Sequence, residues 1–299
     1  MNKKYWLVTT EHLEDRLLFK DAEDFKVGMN YVAVLAFKFL LDVLSFILMS
    51  NHLHFVLYCT RELAESFINA YKQLYSRYLQ TKYGCREYLR GNGVDIHLIP
   101  LDNEALERAL AYVQMNCVAA NICASPQDYP WGTGDCFFKG QQSGIPVLGG
   151  SDIRGRTLAS LSAREQRRLI HSNVAMPGEW VMSDYGYILP SSYIRKDLVE
   201  KVFGSPRRMN YFLHNSSKAK QRMETGERAS PAFKDHVIIA ALPDLCRSLF
   251  RKQQVKELSE EQLVELMRQI RFRFSANVNQ IARVTGLSYE EAAKYLDRA

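Results

Sequence analysis

The stretch VLSFILMSNHLHFVLYC, residues 43–59, decides how the first half of this chain folds. It contains two apolar runs of strand length, Val43–Met49 and His52–Cys59, and only Ser50 and Asn51 separate them. A two-residue connection between such runs is typical of a tight β-hairpin. The sequence therefore predicts two antiparallel strands joined at residues 50 and 51.

The segments around this hairpin complete an alternating order of strands and helices. Upstream, Tyr5–Thr10 has the aromatic and β-branched content of a strand, and Asp21–Phe39 has acids in the first turn of a helix. Downstream, the order continues with a helix at Arg61–Lys82, a strand at Val94–Pro100 and a helix that Asp102 or Asn103 can cap and that runs to about Ile122. The first six elements give the order βαββαβ, so we predict an α+β fold, a ferredoxin-like domain with one added helix.

The rest of the chain is predicted to be mainly helical. Breaks at Pro126–Gly134 and Gly149–Gly150 suggest a first domain at 1–135, a linker at 136–175, a mixed, mainly helical basic region at 176–255 and a last domain at 256–299. In the last domain, the predicted helices Ser259–Arg271, Asn277–Val284 and Tyr289–Arg298, with a turn at Thr285–Ser288, have the layout of a helix-turn-helix.

The composition is that of a globular protein with a basic excess. Hydrophobic residues make up 47% and charged residues 24%, which excludes global disorder and collagen-like sequences. The formal charge is +6, and the excess is concentrated in residues 71–90, 151–175 and 201–230. Each stretch alone fits a solvated helix face, but the three together favour a polyanionic partner such as a nucleic acid.

The location of the protein is predicted from what the sequence lacks. The longest apolar run, Tyr31–Met49, is interrupted by Lys38 and Asp42, so we expect no membrane-spanning helix. The apolar stretch Tyr5–Val8 is too short for a signal peptide. The six cysteines contain no C-x-x-C pair, so we expect reduced thiols in a cytoplasmic protein rather than a zinc or disulfide framework.

His52 and His54 are candidate metal ligands. Residues i and i+2 of a strand point to the same face, and two imidazoles on one face can hold one divalent cation if a third ligand is near. The alternative is that both are polar residues at a sheet edge.

Tyr112 and Asn116 are candidate functional residues of the last helix of the first domain. They are four residues apart and so share one helix face, next to an apolar stripe formed by Leu106, Leu110, Val113, Cys117 and Ala120. A tyrosine can attack phosphorus if a cation polarises the phosphoryl oxygens. The alternative is an amphipathic tyrosine at the margin of the core.

Three motifs together resemble the single-tyrosine HUH transposases of the insertion-sequence-200 type. M-S-N-H-L-H at Met49–His54 is similar to their M-P-N-H-x-H signature, and Y-V-Q-M-N-C at Tyr112–Cys117 to their Y-I-x-x-N-P segment. D-Y-P-W at Asp128–Trp131 is similar to the D-Y-P-W-S-S stretch that follows. The resemblance covers residues 5–135 and is greatest to the REP-associated tyrosine transposases.

This resemblance implies a metal-dependent transposase of bacteria that acts on single-stranded DNA. His52, His54 and Asn116 would bind Mg²⁺ or Mn²⁺, and Tyr112 would attack the scissile phosphate beside a hairpin or imperfect palindrome. The products would be a 5′-phosphotyrosine and a free 3′-OH. A homodimer and a location at the nucleoid are further expectations.

The chain departs from the family pattern mainly where DNA is recognised. Thr9–Leu13 lacks the R-G-x-x-R pattern, and Tyr88–Gly91 stands where W-Q-x-R-F is usual. Ser50 and Cys117 replace prolines without removing a catalytic group.

DNA contacts outside the site are expected from basic and aromatic side chains. One group lies in the second predicted helix and just after it: Lys72, Tyr75, Arg77, Lys82 and Arg86. The other lies in the basic second half: Arg207, Arg208, Lys218, Lys220 and Arg222.

Other functions remain open at this point. A catalytically silent HUH-fold domain would bind DNA as a regulator, a metal hydrolase would cut DNA with water, and a relaxase or replication initiator would nick it. Covalent attachment of DNA to Tyr112 would distinguish a transposase from both the silent regulator and the metal hydrolase.

Overall fold

The computed structural model describes residues 3–11, 17–84, 89, 92–101, 104–139, 155–215, 233–274, 276 and 278–297. Within these ranges, the first half of the chain follows the predicted order: β1 (Lys4–Thr10), α1 (Ala22–Lys38), β2 (Asp42–Met49), β3 (His52–Cys59), α2 (Arg61–Tyr83), β4 (Val94–Ile99) and α3 (Ala105–Ala119). The predicted α+β class is confirmed. The helix start expected at Asp102 or Asn103 lies outside the described residues.

The four strands form one antiparallel sheet in the order β2, β3, β1, β4. Met49 pairs with His52 across the two-residue turn, as the 43–59 stretch predicts. In the neighbouring strands, Thr9 of β1 pairs with His54 on one side and with Asp95 of β4 on the other. Directly paired residues of antiparallel strands are close neighbours on one face, so these three side chains share a face of the sheet.

Helices cover both faces of this sheet. Phe55 of β3 packs against Phe67 of α2 with the ring centroids 5.2 Å apart, and α1 packs beside α2. The preceding residue, His54, points to the opposite face, where its ring centroid lies 5.3 Å from that of Tyr112 in α3. Therefore α1 and α2 lie on one face and α3 on the other.

Local sequence explains where α1 and α2 begin and end. The side chain of Asp21 accepts a hydrogen bond from the Asp24 amide at the start of α1, and Thr60 does the same for the Leu63 amide at the start of α2. Gly84 ends α2 with a φ of 69°, a left-handed conformation that glycine adopts without strain.

The D-Y-P-W stretch and the residues after it cover the outer edge of β2. The Leu48 amide donates to the Trp131 carbonyl (2.8 Å), and the Tyr129 hydroxyl donates to the Leu48 carbonyl (2.7 Å). Gly132 lies so close to β2 that an added Cβ would be 2.8 Å from the Phe46 oxygen. This stretch therefore closes a strand edge that would otherwise be open to pairing with another chain.

Residues 155–195 form a small unit on the outside of α1. It contains the paired strands β5 (Gly155–Thr157) and β6 (Val181–Ser183) and the helix α4 (Ala163–Ile170). Its apolar side chains share a core with Ala33 and Val34 of α1. Part of the stretch expected to be a linker, residues 155–175, belongs to this unit.

Asn30 of α1 fixes the unit on the domain. Its side chain is fully buried, and its nitrogen donates to the carbonyls of Leu169 (2.9 Å) and Gly186 (3.1 Å). Its oxygen accepts a hydrogen bond from the Ile188 amide (2.9 Å). One side chain thus satisfies backbone groups from α4 and from the turn after β6, which would be costly to bury unpaired.

The next two helices, α5 (Lys196–Phe203) and α6 (Pro206–Asn215), pack against α3 on the opposite face of the sheet. Arg195, just before α5, forms an ion pair with Asp42 of β2 (3.0 Å). The chain therefore crosses from one side of the domain to the other along the edge of β2.

The last part of the chain is helical, as predicted. It forms α7 (Asp235–Phe250), α8 (Glu260–Phe274), α9 (Val278–Thr285) and α10 (Tyr289–Asp297), which share a hydrophobic core of their own. Ser288 and Glu291 cap the start of α10 reciprocally. Arg273 of α8 connects these helices to the first domain by donating to the Lys20 carbonyl (2.8 Å).

Among the helices that the structure describes, none combines the length and the apolar character needed to cross a bilayer.

We predict that Asn30→Ala lowers the free energy of unfolding by about 3 kcal/mol, since each lost hydrogen bond to a buried group costs about 1 kcal/mol. Urea denaturation measures the loss, and hydrogen exchange should show faster exchange in residues 155–195 than elsewhere. The control is Asn69→Ala, an exposed asparagine of α2. Equal effects of the two substitutions would contradict the role given to Asn30.

Candidate active site

His52 and His54 lie together on the α3 face of the sheet. Both are buried, with 5% and 1% of their surface exposed, and their ring centroids are 4.7 Å apart at an interplanar angle of 87°. The intervening Leu53 points the other way, into the core. The structure thus brings the predicted pair of imidazoles into one place.

Two neighbours orient these rings, and sequence analysis missed both. The side-chain oxygen of Asn51 lies 2.8 Å from His52 Nδ1, and the Thr9 hydroxyl lies 3.0 Å from His54 Nδ1. An amide oxygen can only accept, so Nδ1 of His52 is the donor, and in the neutral ring the lone pair is then on Nε2, the atom that can ligate a metal. Asn51 was visible beside His52 in the motif, but Thr9 is identified only by strand register.

Tyr112 reaches this pair from α3. Its ring centroid lies 5.3 Å from that of His54, nearly perpendicular to it at 79°. Leu110, Val113 and Cys117 of the predicted apolar stripe are buried and fix the rotation of the helix. Tyr112 itself is only partly buried, so its side chain lies where the site meets solvent.

Asn116 lies one helical turn after Tyr112 on the same helix. Its side-chain nitrogen donates to the Tyr112 carbonyl (2.8 Å). This bond uses the nitrogen, so the side-chain oxygen is the atom that Asn116 can offer to a cation.

The candidate donors for a divalent cation are a mixed set of two imidazoles and one amide. In the described part of the chain, no group of three or more His, Cys, Asp and Glu side chains could hold a metal. A cation here would therefore depend on two imidazole nitrogens and an amide oxygen.

The structure places Lys72 and Tyr75 in internal contacts rather than on a DNA-facing surface. Tyr75 is fully buried, and its hydroxyl donates to the Leu18 carbonyl (3.1 Å). Burial raises its pKa well above the ordinary value. The amine of Lys72 donates to the Asn92 carbonyl, and burial lowers its pKa.

Lys82 is likewise used inside the domain. Its amine lies 2.7 Å from the carboxylates of Asp21 and Asp24, and Asp24 is fully buried. Tyr78 and Tyr83 also donate hydrogen bonds to Asp24 (2.8 and 2.9 Å). These side chains tie the end of α2 to the start of α1, which leaves little of this basic and aromatic set for DNA.

The remaining predicted DNA contacts are exposed arginines or lie outside the described residues. Arg208 pairs with Glu104 (2.9 Å) and Glu107 (3.1 Å), so it connects α6 to the start of α3. Arg77 and Arg207 are exposed, as a DNA contact requires. The other members of the predicted set lie outside the described residues: Arg86, Lys218, Lys220 and Arg222.

A further set of exposed cations lies on α4. Arg164, Arg167 and Arg168 are all exposed, and the nearby carboxylate of Glu165 accepts hydrogen bonds from Ser162 at the start of the helix. The sequence shows the net positive charge of residues 151–175, but it does not predict that these arginines lie on one short helix.

The Lys82 cluster makes stability depend on pH below about 4. Partial burial favours the neutral form of Asp21, but hydrogen bonds from Lys82 and the Asp24 amide outweigh it and lower the pKa of Asp21. A carboxyl with a lowered pKa in the folded state stabilises the protein above its unfolded pKa of about 3.9. That contribution is lost as the pH falls through the folded pKa.

We predict that Lys82→Met lowers the free energy of unfolding at pH 7 by roughly 1–2 kcal/mol. This value allows for the screening of the ion pair by the solvent around Asp21. The variant should also lose less stability than the parent between about pH 4 and pH 2, because it no longer has this ion pair to lose. Urea denaturation across this range tests both points. Lys201→Met, at an exposed lysine, is the control; parallel pH profiles for parent and Lys82→Met would contradict the assignment.

Comparison with known proteins gives a weak structural likeness. No family profile and no curated protein matches this chain. A solved structure of a REP-associated tyrosine transposase bound to a REP hairpin is similar to it, with 10% sequence identity, coverage of 44% of this chain and 78% of that chain, and a TM-score of 0.34. At that TM-score and identity the likeness establishes neither a family nor an activity.

Proposed function

We propose that this protein is a metal-dependent transesterase of single-stranded DNA, a transposase that cleaves near a hairpin through a 5′-phosphotyrosine on Tyr112. The observation that supports this most is the contact of Tyr112 with His54, whose ring in turn packs against His52. These residues come from elements far apart in the chain, and the fold brings together the side-chain types that the motifs suggested. In this proposal the first domain is a ferredoxin-like HUH domain.

The proposed step exchanges one phosphoester bond for another. The phenolic oxygen of Tyr112 bonds to the scissile phosphorus as the bond from phosphorus to the 3′ oxygen breaks. The phenol gives up its proton, and the leaving 3′ oxygen gains one and departs as a hydroxyl. Because a phosphotyrosine ester replaces a phosphodiester, the strand can be rejoined without a nucleotide cofactor.

The cation would be Mg²⁺ or Mn²⁺, held by His52, His54 and Asn116. When bound, it supplies positive charge that polarises the phosphoryl oxygens. The protein side chains orient this site: Asn51 and Thr9 fix the two imidazole rings, and the apolar stripe of α3 fixes the direction of Tyr112.

The proposed substrate is single-stranded DNA that carries a hairpin or imperfect palindrome, in the cytoplasm of a bacterium. Arg77 and Arg207 remain candidates for contacts with its phosphates because both are exposed. Action as a homodimer belongs to the same proposal.

We predict that Tyr112→Phe abolishes covalent attachment to DNA while hairpin binding stays near the parent level, because only the nucleophilic oxygen is removed. The measurement is a denaturant-resistant protein–DNA adduct, formed with labelled single-stranded hairpins with random flanks in Mn²⁺. Tyr289→Phe, at an exposed tyrosine of α10, is the control and should form the adduct.

The outcomes separate the alternatives. An adduct that persists in Tyr112→Phe would exclude Tyr112 as the nucleophile. Cleavage by the parent without any adduct would favour a metal hydrolase. Hairpin binding with neither cleavage nor adduct would favour a catalytically silent regulator.

We predict that Thr9→Val raises the Mn²⁺ concentration needed for half-maximal adduct formation by about 10- to 100-fold, the usual effect of losing a partner that orients a ligand. Thr9→Ser keeps the hydroxyl and should stay close to the parent. His54→Ala and chelation should each abolish the adduct. An unchanged Mn²⁺ requirement in Thr9→Val would show that this hydroxyl does not support the metal site.

A further inference from the structure

A cavity of about 490 Å³ lies beside the β2 edge, on the side of α1. Its walls come from the first turns of α1, from residues 127–139 and from the turn at residues 185–191. This volume is within the range of small-molecule sites and is large enough for a nucleotide.

The floor of the cavity is aromatic. Tyr129, Trp131 and Tyr187 line it and are almost fully buried. Trp131 is held in place by stacking on Phe25, with ring centroids 4.9 Å apart and an interplanar angle of 13°. Burial keeps the two phenols neutral by raising their pKa values. A rigid, uncharged aromatic floor is the kind of surface that accepts a planar ring.

The rim of the cavity carries charges of both signs. Lys26 and Lys139 are half-exposed or exposed, and each lies near a carboxylate at the surface, Glu23 (3.5 Å) and Asp135 (2.9 Å). Asp128 is also exposed, and no cation of the described residues lies within ion-pair distance of its carboxylate. The rim therefore offers amines to a phosphate and a carboxylate to hydrogen-bond donors on a ring.

The cavity and the candidate active site lie at the same end of the sheet. Gly132 bridges to Ile47 of β2, and Ile47 pairs with His54 of β3. Two strand spacings, roughly 10 Å, therefore separate this wall from the histidine strand. The amides of Leu18 and Phe19, just before α1, both donate to the Ser50 carbonyl in the β2–β3 turn, which holds the start of α1 at this end.

We propose that the cavity receives the base of an unpaired nucleotide that flanks the phosphate presented to Tyr112, and that it selects bases with an exocyclic amine. The aromatic floor stacks on the base, Asp128 accepts a hydrogen bond from the amine, and Lys26 and Lys139 face the phosphate. Thymine has no exocyclic amine and is disfavoured. This inference rests on the proposed function, because it gives that site a means of choosing where to cleave.

The test uses the full chain and free nucleotides, so it does not require cleavage. Binding of dGMP, dCMP and dTMP is measured by calorimetry and by the change in tryptophan fluorescence. We expect dGMP and dCMP to bind more tightly than dTMP. Asp128→Asn should weaken dGMP about tenfold, as expected for one charge-assisted hydrogen bond, and should reduce the preference over dTMP.

Two control variants complete the test. Asp184→Asn changes the charge of an exposed turn residue that does not line the cavity, and its nucleotide affinity should equal that of the parent. Tyr112→Phe should bind nucleotides like the parent, because the cavity does not include Tyr112. In the adduct assay with random flanks, Asp128→Asn should still attach DNA but with a weaker base preference at one flanking position.

Failures of this inference and of the proposed function are distinguishable. A Tyr112 adduct together with no nucleotide binding, or with equal binding to parent and Asp128→Asn, would overturn the inference and leave the proposed function standing. Base-selective nucleotide binding without an adduct would overturn the proposed function and, with it, the link of this cavity to cleavage.

Discussion

Alternation of side chains along β3 is the constraint on which the rest of the candidate site depends. In the eight residues His52–Cys59, one set of side chains enters the core under α2 and the other set faces α3. Burial of the apolar side chains fixes the face of the strand that they occupy. Because side chains alternate, the histidines must then lie on the other face. The fold therefore uses hydrophobic packing on one face to hold two polar rings on the opposite one, where Thr9 and Asn51 complete their orientation.

The buried carboxylate of Asp24 holds the C-terminal end of α2 against the start of α1. Asp24 is fully buried, yet it accepts hydrogen bonds from the Lys20 amide, from two tyrosines and from Lys82. A carboxyl group in such a place needs this number of donors to offset the loss of water. The basic and aromatic character of residues 71–83, which resembles a nucleic-acid surface in the sequence, is largely explained by this internal requirement.

Much of the fold could be predicted from the sequence because its signals are local. The apolar runs of strand length, the two-residue turn and the acids in the first turn of α1 each act within a few residues, and the corresponding elements are found. The candidate site was found through spacing at i, i+2 and i, i+4, but its supporting residue Thr9 was not, since only strand register brings it to His54. The prediction that Tyr75 contacts DNA was wrong for a related reason. Its hydroxyl donates to a backbone carbonyl of a distant loop, a contact that no helical pattern predicts. The unit at residues 155–195 depends in the same way on Asn30, more than a hundred residues away in sequence.

The turn between β2 and β3 has a consequence for how this chain can change over evolutionary time. Ser50 can be exchanged for another residue that forms a tight turn, whereas Asn51 is constrained because its side-chain oxygen orients His52. A change in length is different, because inserting or deleting one residue within β3 would exchange the faces of the histidines and the core residues. The lineage of this protein is therefore expected to record substitutions at Ser50 but to conserve the number of residues in the turn and in β3.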